Sequence, residues 1–196
     1  MNQRGLLTAE QFSEQKFDLP DGGRWVELVD GELVTLHPPD VAHGTTLLNL
    51  SKALADCLQQ NPEGYACFEL GLIVARNPDT VRCPPVSFFI QGDRFAETDK
   101  AVTDMRPALV AEIPSTNDRR RDLGRRIKAY LEWGIELVWV IDPIEKEVYV
   151  YQRGRPSKKL SEHKMLYGCS LLGNSILPEF KIRISALFVE PDWWRS

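Results

Sequence analysis

The stretch Leu109-Val110-Ala111-Glu112-Ile113 restricts the fold more than any other part of the chain. A near-continuous apolar run of strand length reads as a strand covered on both faces, central in its sheet. Its one charged residue is Glu112. A carboxylate there is costly unless it sits at the strand end or binds something. Pro114 follows at once, and Ser115-Thr116-Asn117 offer N-caps for a helix over 118–133. The strand end therefore meets the positive end of a helix. Two readings stay open. Glu112 caps or salt-bridges locally, or it is a metal or general-base carboxylate in a cleft at the sheet end.

The rest of the chain supplies partners for that strand. Thr8-Ala9-Glu10-Gln11 fits a capping box for a short helix over 9–15. Strands over 25–29 and 32–36 flank Asp30-Gly31, a hairpin signal. Leu47, Leu50, Leu54 and Leu58 form an apolar stripe on a helix over 43–59. Residues 66–75 and 81–90 read as strands joined by a turn at 77–80, where Asp79 reads as a solvated turn residue. Residues 91–106 read as irregular. Leu123, Ile127, Tyr130 and Leu131 make the buried stripe of the helix over 118–133, which Gly134 ends. Strands over 137–142 and 147–152 follow, then short β segments over 160–188 that end in 182–188. The order of elements predicts an α/β (α+β) fold, a mixed sheet flanked by helices, with an N-terminal helix and hairpin. Residues 1–24 read as packing on the core, 25–188 as the main domain and 189–196 as a tail.

Composition narrows the function classes. The 196 residues carry a net charge of −4, so nucleic-acid binding would need a local patch. The four cysteines are scattered with no C-x-x-C pair, which fits reduced thiols in a cytoplasmic protein and argues against a zinc or redox motif. No apolar run approaches the roughly 20 residues that span a bilayer.

Several spaced elements, taken together, resemble the Uma2 family (also called DUF820) of the PD-(D/E)XK nuclease superfamily. They are Trp25 through Leu33, His43, Arg82-x-Pro84-x-Val86, Pro107 through Ser115, Asp118 through Tyr130, Gly134 through Pro143, and Leu177-Pro178-Glu179-Phe180. The resemblance covers roughly residues 7 to 188. It implies a restriction-endonuclease-like core and metal-dependent hydrolysis of DNA phosphodiesters. It also implies a Mg²⁺ held by Glu112 and by an acid in the preceding strand, with a lysine from the following helix. Glu112 and Ser115 match that pattern. Pro85 stands where the acid belongs, and Arg126 where the lysine belongs. Proline has no side-chain oxygen, and arginine holds phosphate but cannot act as a base. Glu27 and Glu69 fall in strands near the expected site, and Glu27 matches a family glutamate. The enzyme reading uses Glu112, Arg126, Ser115 and Glu27. The other reading is a catalytically silent relative that binds DNA or a protein.

Arg119, Arg121, Arg125 and Lys128 lie on the same helix as Arg126, and the last three of the four share an outward face. That face reads either as a phosphate-contacting surface or as a solvated one. His43 is read as an N-terminal capping or exposed residue. Trp193-Trp194 pack either across a homodimer interface or back onto the domain.

Overall fold

The computed structural model describes residues 5–92, 101–169 and 176–192. Helix α1 (Ala9–Gln15) begins with the expected capping box. The Thr8 hydroxyl accepts from the Gln11 N–H at 3.2 Å, and the Gln11 side chain accepts from the Thr8 N–H at 2.9 Å. Ala9 and Phe12 bury against Val26, Leu28 and Val81. Strands β1 (Val26–Val29) and β2 (Glu32–Thr35) pair antiparallel around Asp30-Gly31. Both turn residues have positive φ, 52° and 79°, the conformation such a two-residue hairpin demands. Asp79 departs from its solvated reading. Its carboxylate accepts from the Ala9 N–H at 2.7 Å and from Arg76 at 2.9 Å, so it ties the turn to the first helix.

Helix α2 (Val41–Gln60) starts two residues earlier than expected, because Asp40 accepts from the His43 N–H at 2.9 Å and caps it. The two expected strands beyond it each divide. The first becomes β3 (Tyr65–Cys67) and β4 (Gly71–Ala75), separated by Glu69 at φ 53°. The second becomes β5 (Thr80–Arg82) and β6 (Val86–Phe89). Pro84 and Pro85 give no N–H to a ladder, so pairing stops at Arg82 and resumes at Val86 in a different sheet. A short β7 (Val102–Thr103) follows.

Then come β8 (Leu109–Glu112), α3 (Asn117–Trp133), β9 (Leu137–Asp142), β10 (Glu147–Gln152) and β11 (Lys158–Ser161). Gly134 ends α3 at φ 102°, and its N–H reaches the Tyr130 and Leu131 carbonyls. β12 (Met165–Tyr167) pairs with β13 (Lys181–Arg183), and Ile184–Phe188 is a 3₁₀ turn rather than the expected strand. One sheet has the order β2-β1-β5-β4-β7 and the other β11-β10-β9-β8-β6-β3. β8 is central and parallel to β9, with α3 crossing between them.

Alternation along β8 sorts its side chains. Leu109 and Ala111 join Leu50 and Leu54 of α2, together with Trp139, which stacks on Phe180 at 5.3 Å. Val110 belongs to the opposite cluster with Val138, Ile127 and Tyr130 of α3, and Leu72 and Val74 of β4. Glu112 is two residues beyond Val110 and so faces α3 and the first sheet. Among the described residues, no helix is long and apolar enough to cross a membrane. Trp193-Trp194 lie outside the described residues.

Candidate functional site

The site is assembled from three elements that sequence separates widely. Glu112 is the last residue of the central strand, Glu27 comes from β1 of the other sheet, and Arg126 comes from α3. All three are almost fully buried, at 3%, 1% and 2% exposure. The Arg126 guanidinium fills the space between the carboxylates. Its Nε donates to Glu112 at 2.9 Å, and one terminal nitrogen donates to Glu27 at 2.6 Å. The other terminal nitrogen lies 2.8 Å from the same Glu112 oxygen. The Tyr130 hydroxyl, one turn further along α3, also donates to that oxygen, at 2.6 Å. Glu27 is held from its far side by Arg82 at 3.0 Å and by the Cys83 N–H at 2.7 Å. Arg82 also pairs with Asp122 of α3 at 2.7 Å.

The sheet-facing stripe of α3 is therefore Arg119, Asp122, Arg126 and Tyr130, at helical spacing. The sequence reading placed Tyr130 in an apolar stripe and used Arg82 only as a family marker. A polar residue inside the apolar strand of residues 81–90, and a tyrosine four residues after Arg126, were the signals for both.

Charge settles around the arginine. Burial by itself raises the Glu27 pKa, but the Arg126 and Arg82 guanidiniums and the Cys83 N–H outweigh it and hold it at about 2. Burial disfavours the charged form of Arg126, yet Glu112 and Glu27 push its pKa well above the ordinary guanidinium value. Burial, together with the neighbouring carboxylates, raises Tyr130 well above 10. Arg126 is thus a fixed cation at every accessible pH.

A divalent cation does not fit this donor set. One oxygen of each carboxylate already accepts from Arg126, the other Glu27 oxygen accepts from the Cys83 N–H, and Pro85, buried between β5 and β6, has no side-chain oxygen to add. Among the described residues, no group of three or more His, Cys, Asp and Glu side chains is placed to hold a metal.

The remaining expected residues are spread around this cluster. Ser115 is buried at the start of α3, and its hydroxyl has no partner among the described residues. His43 departs from its capping or exposed reading, being 1% exposed. Its Nδ1 lies 3.0 Å from the Ile113 carbonyl, which can only accept, so Nδ1 carries the hydrogen. Burial and the nearby Arg119 lower its pKa to about 4, and it stays neutral. Arg119, read with Arg121, Arg125 and Lys128 as a nucleic-acid contact, does not face outward. It is buried, and its Nε and one terminal nitrogen lack partners among the described residues. On the outward face, Arg125 is paired with Asp122 at 3.1 Å and Lys128 lies 3.8 Å from Glu132. Only Arg121 of that face has no ion-pair partner among the described residues.

Glu69 projects from the β3–β4 connection toward the same region. Burial raises its pKa to about 7, Arg119 opposes this, and Glu112 and Glu27 add to it. One of its oxygens is buried without a partner among the described residues.

Comparison with known proteins fits this arrangement. The chain resembles the crystal structure of a putative nuclease belonging to DUF820 from Anabaena variabilis, at a TM-score of 0.73 and 20% identity, over 93% of this chain and 97% of that one. At that identity the likeness defines the fold, a nuclease-like mixed α/β domain. The sequence profile of Uma2, described as a putative restriction endonuclease, matches residues 9–185, and the chain belongs to that family. No curated protein matches it.

Proposed function

We propose that this chain keeps the nuclease fold but has given up metal-dependent cleavage, and acts as a binding module. DNA is the ligand class to which the family's description points. The supporting observation is the Arg126 guanidinium bonded to both Glu27 and Glu112 in a buried site. For Mg²⁺ to enter, it would have to break these charge-assisted bonds and strand a buried cation. Arginine cannot give up its proton, so it does not replace a catalytic lysine as a base. Pro85 removes the second oxygen ligand at the same place.

The alternative is a Mg²⁺-dependent DNA endonuclease with a rearranged site that uses Glu112, Glu27, Arg126 and Ser115. The carboxyl of Glu69 beside the cluster, one oxygen of which has no partner among the described residues, is the observation in its favour, because it is a spare acid.

Incubation with supercoiled plasmid in Mg²⁺ or Mn²⁺ separates the two readings. The expected result is intact plasmid, retained by the protein in a salt-dependent way. Cleavage that disappears in Glu112→Gln would establish the endonuclease instead.

A further inference from the structure

A cavity of about 400 Å³ opens beside the ion cluster, between the 3₁₀ turns that follow α1 and the β3–β4 connection. Five of its lining side chains have a bearing on ligand chemistry: Lys16, Phe17, Arg24, Phe68 and Glu69. Phe17 is 70% exposed and Phe68 is 47% exposed. Two exposed phenyl rings flanking one cavity offer flat stacking surfaces.

Arg24 is exposed at the rim. Lys16 is buried in the wall, with its Nζ 3.2 Å from the Cys83 sulfur. Burial raises the Cys83 thiol to about 11, so the thiol is neutral and does not neutralise a basic neighbour. Glu69 lines the same cavity from a left-handed backbone at φ 53°, a conformation that is costly for a residue with a side chain and that concentrates at functional positions. One of its oxygens is enclosed without a partner among the described residues, and the carboxyl group lines the cavity.

These features discriminate among ligands. A cationic ligand would meet Lys16 and Arg24. A purely apolar one would bury the basic pair and the carboxyl without partners. A planar ring attached to an anion satisfies every group present. The volume also lies within the usual range for small-ligand sites.

We infer that this cavity binds one nucleotide unit, with its base stacked on Phe17 and Phe68, its phosphate held by Arg24 and Lys16, and its base edge bonded by Glu69. The unit is either a free mononucleotide or an unpaired nucleotide of single-stranded DNA, since both present the same chemistry. The inference goes beyond the reading of the Arg126 cluster and stands whether or not that cluster is catalytic.

The test titrates deoxythymidine monophosphate, a short single-stranded oligothymidylate and a duplex of equal length into the full chain. Wild type is expected to bind the single strand, and Phe17→Ala/Phe68→Ala to weaken that binding roughly tenfold or more, the loss typical of removing base–aromatic stacking. Duplex binding should be unchanged. Phe68→Ala alone makes the same point if the double variant folds poorly. Binding of the monophosphate itself identifies a free nucleotide as the ligand, and binding of the oligonucleotide alone identifies the strand; both support the site. No binding of either, or single-strand binding indifferent to the phenylalanine variants, overturns it. A plasmid assay that reveals cleavage would refute the silent-site reading and leave this result untouched.

Discussion

Replacing Arg126 with methionine removes the centre of the cluster while keeping most of the side-chain volume. Four donor contacts disappear, to Glu112 at 2.9 Å and 2.8 Å, to Glu27 at 2.6 Å and to the Tyr130 hydroxyl at 3.3 Å. The two carboxylates are not affected equally. Glu27 retains Arg82 and the Cys83 N–H, whereas Glu112 retains the Tyr130 hydroxyl alone among the described residues. Removing one partner of a buried ion pair costs about 3–5 kcal/mol, a large part of the roughly 5–15 kcal/mol that holds a domain folded. With a urea m-value near 2 kcal/mol per M, the unfolding midpoint should drop by roughly 2 M. Circular dichroism during urea titration at pH 7 measures this. Arg126→Met/Glu112→Gln removes the stranded charge and keeps a partner for Tyr130. It should recover at least about 1 kcal/mol relative to the sum of the single variants. A single variant within about 1 kcal/mol of wild type, or strictly additive costs, would refute the view that the guanidinium neutralises both carboxylates.

Three further outcomes are expected. Glu27 is held at about 2 against an ordinary 4.5, so its contribution of roughly 3 kcal/mol is present above pH 4.5 and lost as pH falls toward 2, measurable by acid titration of the urea midpoint. His43, lowered from 6.5 to about 4, loses stability as pH falls from 6.5, while Glu69, raised from 4.5 to about 7, gains it over much of the same range. The two offset each other in wild type, so Glu69→Gln should expose a loss of roughly 2 kcal/mol between pH 6.5 and pH 4.5 in urea titrations at both pH values; a flat profile would contradict the assignment. Asp79→Ala frees the Ala9 N–H and Arg76, and should cost about 1–3 kcal/mol and speed hydrogen exchange in α1, readable by mass spectrometry.

Much of the fold was legible because its signals are local. The Thr8 capping box, Asp30-Gly31, Gly134 and the apolar run at 109–113 each specify backbone geometry within a few residues. The divided strands were less legible. Glu69 turns the chain through a conformation that sequence rarely assigns to glutamate, and the breaks at 68–70 and 83–85 serve two sheets whose pairing is set by distant partners. In the site, helical spacing was enough to bring Arg126 to the sheet end. The bond to Glu27 was not legible, because it crosses 99 residues and joins α3 to a strand of the first sheet. Arg119 points inward on the same arithmetic that buries Arg126, seven residues later, but a run of arginines reads as surface until the sheet behind it is known. Asp79 and His43 misled for one reason. Each is a polar residue in an apparent boundary segment, and each is buried by an element remote in sequence.

The central claim is that a guanidinium occupies the place of a metal ion. Calorimetric titration of Mn²⁺ into the wild-type chain and into Pro85→Asp/Arg126→Lys tests it most directly, with thermal melts to verify that both are folded. No binding heat is expected for wild type, and a saturable site is expected in the double variant once a second carboxylate is supplied and the guanidinium removed. Stoichiometric Mn²⁺ binding by wild type that is lost in Glu112→Gln would contradict it.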